Sequence, residues 1–110
     1  MANTFKNNTL KSAGVSAQNA YAAGAGVSAT IIGMSIANII TTPISASVIL
    51  CGGTISGNVF LVKDATIAPG GALVPIGGEQ KLVLEAGDYL QVNTSVASSA
   101  DIITSILEIT

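Results

Sequence analysis

The chain has 110 residues, enough for one domain with one packed core, and a formal net charge of −2. Charged residues make up 9% of it: four Lys and no Arg stand against six Asp plus Glu, with no His, no Trp and one Cys. These counts exclude histidine acid–base chemistry, a cysteine-rich zinc site, an intramolecular disulfide within these residues and the basic stripe that binds nucleic-acid backbones, leaving Cys51 as a buried thiol or an intermolecular partner.

With 49% hydrophobic residues and so few charges, much of the surface must be Ser, Thr, Asn, Ala and Gly. Such a surface protects a free monomer poorly against association. The natural state is therefore expected to bury surface against copies of itself or a partner.

From the N-terminus, residues 1–14 are polar with Lys6 and Lys11 and no apolar run, which does not read as a secretory signal. Residues 1–12 are expected to form an extended arm and residues 13–110 a single β domain. The Ala-, Gly- and Ser-rich stretch from Ser12 to Ala29 allows a helix near Ala17–Ala23, but closely spaced glycines favour a short strand near Gln18–Tyr21 followed by a glycine turn. No charge falls between Lys11 and Lys63, which raises a membrane span at Val27–Leu50. Frequent Ser and Thr, Asn38 and Pro43 interrupt that segment, and its alternation suits strands better.

In the next strand Ile32, Met34 and Ile36 are expected to face the core, with Gly33, Ser35 and Ala37 between them. Pro43 marks a turn, and Ile44, Ala46, Val48 and Leu50 share the inner face of the strand that follows. Gly52, Gly53 and Gly57 bracket a loop or tight hairpin. Val59, Leu61, Ala65 and Ile67 line one side of a further strand, where Lys63 on the same side implies an outward twist or a bulge. Ala68-Pro69-Gly70-Gly71 is a turn, Leu73–Ile76 is extended, and Gly77-Gly78 reverses the chain. Leu82 and Leu84 point inward, Glu85–Asp88 turns, and Leu90 and Val92 return to the core as a hairpin-like unit. In the last strand Ile103, Leu107 and Ile109 lie on one face and Ile102 and Ile106 on the other, the pattern of a central or interface strand. About eight short strands with regular turn signals indicate an all-β fold, a single antiparallel β-sandwich or jelly roll.

Little in this sequence carries chemistry. Glu85 and Asp88 flank one turn and could act as an acid–base pair or hold a hard cation; the plainer reading is that they solvate the turn, Asp88 bonding backbone N–H groups. No Ser or Thr has a His to activate it, no G-x-S-x-G elbow is present, and Gly24-Ala25-Gly26 lacks the phosphate-loop pattern. The aromatic residues Phe5, Tyr21, Phe60 and Tyr89 read as core rather than a stacking platform. No catalytic, cofactor-binding or metal-binding residue is assigned.

Thr4-Phe5-Lys6-Asn7, the small-residue stretch with Tyr21, the block Ala72 to Leu90 (ALVPIGGEQKLVLEAGDYL) and the ending Asp101 to Ile109 together resemble small virion-associated structural proteins of tailed bacteriophages, a group common in phages of marine bacteria and cyanobacteria. The resemblance implies a virion protein without enzymatic activity, assembled in the bacterial host cytoplasm. The function expected first is head decoration: a cement protein on the capsid shell, bound to the major capsid protein and to itself, as trimers at symmetry points, without nucleic acid, membrane or cofactor. Within the arm, Asn3, Thr4, Phe5, Asn7 and Thr9 are the expected partner-binding residues, adding a strand to a neighbouring sheet edge. The alternatives are a neck, tail or fibre component of the virion, a carbohydrate-binding module using Tyr21 and Tyr89, and a small membrane protein.

Overall fold

The computed structural model describes residues 3–52, 58–77 and 81–110. Among the described residues nine strands run in chain order: β1 (Asn3–Ala13), β2 (Gln18–Ala22), β3 (Ser28–Asn38), β4 (Ile44–Cys51), β5 (Val59–Ile67), β6 (Ala72–Ile76), β7 (Leu82–Leu84), β8 (Tyr89–Thr94) and β9 (Ala100–Ile109). One sheet has the order β1-β9-β3-β6, with β7 also paired to β3; the other has the order β2-β8-β4-β5. Every ladder is antiparallel. Most connections cross from one sheet to the other, and the first and last strands are neighbours. This is the wound order of a jelly roll, an all-β sandwich as expected from the spacing of the strands.

Between the sheets lies a core of aliphatic side chains, of which Ile31, Ile36, Ile76, Val48, Leu84, Leu90 and Val92 are fully enclosed. Each contributes roughly 1.5–3 kcal/mol by leaving water. The expected inward positions of β4, β7 and β8 are seen: Ile44, Ala46, Val48, Leu84, Leu90 and Val92 are buried, while Leu50 and Leu82 pack partly against the same core. Ala68–Gly71 closes as a turn, Gly71 N–H donating to the Ala68 carbonyl at 2.9 Å with Gly70 at φ 75°. Pro69 and the left-handed Gly70 occupy the central positions of a type II turn. The segment that raised the membrane question is β3, a turn and β4; no helix among the described residues is long and apolar enough to cross a membrane.

Two expectations are corrected, for β3 and for the turn after β7, while the extended opening segment lies along the sheet, Asn3 to Leu10 pairing with β9 from Ile109 to Ile102. The alternation Thr4, Lys6, Asn8 and Leu10 against Glu108, Ile106, Thr104 and Ile102 lets β1 finish the sheet as an edge strand. In β3 the register shifts between Ile31 and Gly33. That bulge inserts one residue and changes which parity faces inward. Ala29 and Ile31 are buried before it and Met34 and Ile36 after it, so Ile32 is displaced from the core position expected of it. Ile31→Val should then cost about 1 kcal/mol and Ile32→Val a few tenths, measured by urea unfolding. Equal costs would contradict the bulge. Finally, β7 and β8 do not form a hairpin: β7 pairs with β3 and β8 with β2 and β4, so the Glu85–Asp88 turn is a corner between sheets.

The bulge expected around Lys63 is present. Opposite β4 the pairing steps from Ala65 to Val62, with Asp64 at φ 52° and its N–H donating to Ser47 Oγ at 2.9 Å. The glycine loop after Gly52 and the end of the Gly77-Gly78 turn lie outside the described residues, although β4 and β5 on either side of the first pair as a hairpin. Aromatic placement differs from expectation: Tyr21 is buried, but Phe5 is 72% exposed and Phe60 45%. Phe60 carries Lys63 Nζ 5.3 Å from its ring centroid.

Candidate functional site: the outer face of the five-stranded sheet

On β9, Ile102, Thr104 and Ile106 point into the core, so Ile103, Ser105, Leu107 and Ile109 point outward. Directly opposite residues of an antiparallel pair place their side chains on the same face. The β1–β9 register sets Asn3, Phe5, Asn7 and Thr9 against Ile109, Leu107, Ser105 and Ile103. On the other side of β9 stand Ser28, Thr30, Gly33 and Ser35 of β3, and Thr30 pairs onward with Val83 of β7. None of these residues is charged; Asp101, next outward along β9 after Ile103, and Lys11 bring charge to one end of the face. Phe5, Ile103 and Val83 are 72%, 51% and 62% exposed, and Val74 of the neighbouring β6 is 63% exposed.

The structure thus gathers four of the five expected partner-binding residues, Asn3, Phe5, Asn7 and Thr9, on one face. Thr4 stands opposite Glu108 on the other side of the strand. Isolated exposed aliphatics are ordinary on protein surfaces; here Phe5, Ile103 and Val83 share one face of one sheet. Ile103 and Leu107 belonged to the doubly apolar strand read from the sequence. Val74 and Val83 were missed, because β6 and β7 reach this sheet only by crossing from elsewhere in the chain. Two shallow depressions border β1: one of about 260 Å³ bounded by Phe5, Asn7, Ile32 and Ser105, the other of about 280 Å³ bounded by Thr9, Lys11, Asp101 and Ile103.

At one end of the sandwich a polar cluster ties three strands together. The buried Tyr21 hydroxyl of β2 donates to Glu108 of β9. Lys6 Nζ of β1 lies 3.3 Å from the same carboxylate and 5.8 Å from the Tyr21 ring centroid. The Tyr21 bond and then Lys6 hold the Glu108 carboxyl below its usual range, against an opposing effect of burial. Burial foremost, then the bond to Glu108 and its charge, pushes the Tyr21 phenol well above its ordinary value. The signs are opposite. The Glu108 contribution to stability is complete above about pH 4.3 and is lost as pH falls through its depressed pKa; the Tyr21 contribution is complete below about pH 10 and is lost as pH rises through its raised pKa. Tyr21→Phe should therefore lower Tm at neutral pH, with a gap to the wild type that narrows at both extremes. A gap constant with pH would contradict this arrangement. The same geometry removes Tyr21 from consideration as a sugar-stacking platform.

Of the plainer reading of Glu85 and Asp88, the bond from Asp88 to a backbone N–H is seen, but Asp88 is buried and does not solvate the turn. Asp88 is 1% exposed and its Oδ2 accepts the Glu85 N–H at 3.1 Å. Among the described residues no three His, Cys, Asp or Glu cluster to hold a metal ion. Burial also pushes the Cys51 thiol above its ordinary pKa.

No protein-family model matches this chain, and no curated protein matches it. In fold it is similar to a solved structure of Bacillus endospore appendages, described as a novel family of disulfide-linked pili, with a TM-score of 0.58 and 14% sequence identity over 99% of this chain and 87% of that one. At that identity the likeness is one of fold.

Proposed function

We propose that this chain is a non-enzymatic structural protein of a tailed-phage virion, a head decoration protein that binds the assembled capsid shell in many copies. The observation that carries the reading is the outer face of the five-stranded sheet, where Phe5, Ile103, Val74 and Val83 are all more than half exposed and charge is confined to the end that carries Lys11 and Asp101. A face of this kind loses apolar surface to water until something covers it. The resemblance of the Ala72–Leu90 block and the two chain ends to virion proteins supplies the particle. The partners are then the major capsid protein and further copies of the chain, with trimers at symmetry points. The protein is made and assembled in the host cytoplasm and uses no nucleic acid, membrane or cofactor. Binding only the assembled shell stabilises that shell by mass action.

The test adds purified protein to shells stripped of it. Ile103→Lys puts a charge in the middle of the face at an exposed position, so folding should be intact while shell affinity falls about tenfold or more. Deleting residues 1–10 should also abolish binding, since it removes Phe5, Asn7 and Thr9 but no buried side chain among the described residues. Full occupancy by both variants would contradict the proposal.

The fold likeness favours a second reading, a filament subunit on a cell or spore surface. The pili of that neighbour are disulfide-linked. Here the one cysteine in these 110 residues, Cys51, is 2% exposed, so a filament of this chain would be held by its faces and edges and not by disulfides between these residues.

A further inference from the structure

We infer that the outer edge of β9 is an acceptor for the β1 strand of a second copy, so that the protein associates by exchanging its N-terminal strand. This goes beyond the proposed role in a virion and stands whether or not that role holds.

The inference starts from how β1 is held. Eight residues from Asn3 to Leu10 pair in unbroken register with β9, but of the whole strand only Ala13 is buried, with Asn8 and Leu10 half-buried. The ladder of main-chain hydrogen bonds is therefore the principal attachment. Four side-chain ties add to it: Lys6 with Glu108, Ser105 Oγ donating to Asn7 Oδ1 at 2.8 Å, Asn8 donating to the Ala20 carbonyl, and the Ser12 N–H donating to Asp101 Oδ1 at 2.9 Å. Both depressions border β1, whose side chains leave space unfilled.

A hinge lies at the end of this lightly held strand. The register breaks between Leu10 and Ala13, and Ser12 sits at φ 56°, a left-handed conformation that costs a non-glycine residue about 1 kcal/mol or more. Beyond the hinge the chain is fixed: the Ala13 and Gly14 carbonyls accept N–H groups of Ser99 and Thr94, each at 2.9 Å. Opening the chain at Ser12 thus frees β1 at the cost of the Ser12 bond to Asp101 and of the packing of Leu10 against the margin of the core, with Ala13 left in place.

The occupant of the vacated edge is specified by the structure itself, because the same sequence is already seated there. The contacts of Asn3 to Leu10 made within one chain can be remade between two, so the exchange conserves the ladder and the ties of Lys6, Asn7 and Asn8 and relaxes the hinge. Such swapping of an identical element is a low-cost route to oligomers, and an unpaired β9 edge would otherwise be a template for indiscriminate pairing.

The test uses two singly substituted proteins, both with Cys51→Ala, one carrying Asn7→Cys and the other Ser105→Cys. Residues 7 and 105 are directly opposite in the register. After mixing at high concentration and oxidation, a covalent heterodimer forms only if β1 of one chain lies against β9 of the other. The doubly substituted chain, which closes the bond within itself, serves as the positive control for geometry and folding. Ile103→Cys, which faces the same way but stands opposite Thr9, replaces Ser105→Cys as the off-register control. The expected result is a heterodimer yield about tenfold above the off-register pair, rising with protein concentration before oxidation. A yield no greater than that of the off-register pair would overturn the inference.

Discussion

Gly52→Ala should destabilise this protein by about 3–5 kcal/mol, a large share of the stability of a domain this size. Cys51 is the last residue of β4 and pairs with Tyr89, which brings Gly52 up against Asp88 at the corner between sheets. A Cβ on Gly52 would lie 2.4 Å from Asp88 Oδ1 and 2.5 Å from Asp88 Cα, and Gly52 has φ 142°. Neither side can yield cheaply. The Asp88 carbonyl accepts the Ala23 N–H at 2.9 Å, its own N–H donates to Glu85 O at 2.9 Å, and its carboxylate accepts the Glu85 N–H. The substitution must break this corner or distort the end of β4. Gly24→Ala, with nothing within 4 Å of its Cβ, is the matched control and should change stability by only a few tenths of a kcal/mol. Urea unfolding of the two variants checks the contrast; similar midpoints would contradict it.

Asn38→Asp should cost a comparable amount, about 3–5 kcal/mol at neutral pH. Asn38 ends β3 at 5% exposure. Its Nδ2 donates to the Thr42 carbonyl at 2.9 Å and the Ile67 carbonyl at 3.1 Å, while Oδ1 accepts the Ile40 N–H at 3.0 Å. One carboxamide thereby fixes the β3–β4 loop and ties it to the end of β5. Aspartate would aim a carboxylate oxygen at two carbonyl oxygens in a site closed to water. Much of the loss should return at low pH, where a protonated acid restores one donor. Asn38→Ala, which loses all three bonds but buries no charge, should fall between, at about 2–3 kcal/mol. If the aspartate variant unfolds at the same urea concentration as the wild type, the clip is not structural.

Much of the fold was legible because strand alternation and turn chemistry are local. Ile44, Ala46 and Val48 alternate cleanly with polar or half-buried neighbours, and Pro69-Gly70 can only be a turn of one kind. What escaped depends on pairing between distant segments. Ile31-Ile32-Gly33 offers two isoleucines for one core position. The choice of Ile31 follows from the β9 register, though a glycine within a strand is a signal for a bulge that could have prompted it. Residues 3–13 look like a polar arm because an edge strand with its outer face open to water needs almost no apolar side chains. The turn at Glu85–Asp88 carries the composition of a hairpin; only the partners of β7 and β8 reveal a corner between sheets.

The candidate site was half legible for the same reason. Asn3, Thr4, Phe5, Asn7 and Thr9 were marked by a polar opening segment whose Asn and Thr groups suit strand pairing, and the two apolar faces of β9 pointed to a central or interface strand. The meeting of Asn3, Phe5, Asn7 and Thr9 with β9 on a single face is set by the β1–β9 register, which no local pattern encodes. Val74 and Val83 join them through the crossovers of a jelly roll.

The proposal that the outer face of the five-stranded sheet is covered in a many-copy assembly on a phage head is tested most directly by counting. Quantitative mass spectrometry of purified phage particles, scaled to the major capsid protein, gives the number of copies of this chain per particle. Decoration of the shell predicts on the order of hundreds of copies, following the symmetry of the head. A count of roughly three to a dozen would place the chain in a ring at the neck, tail or a vertex, and its absence from the particle would contradict the virion reading altogether.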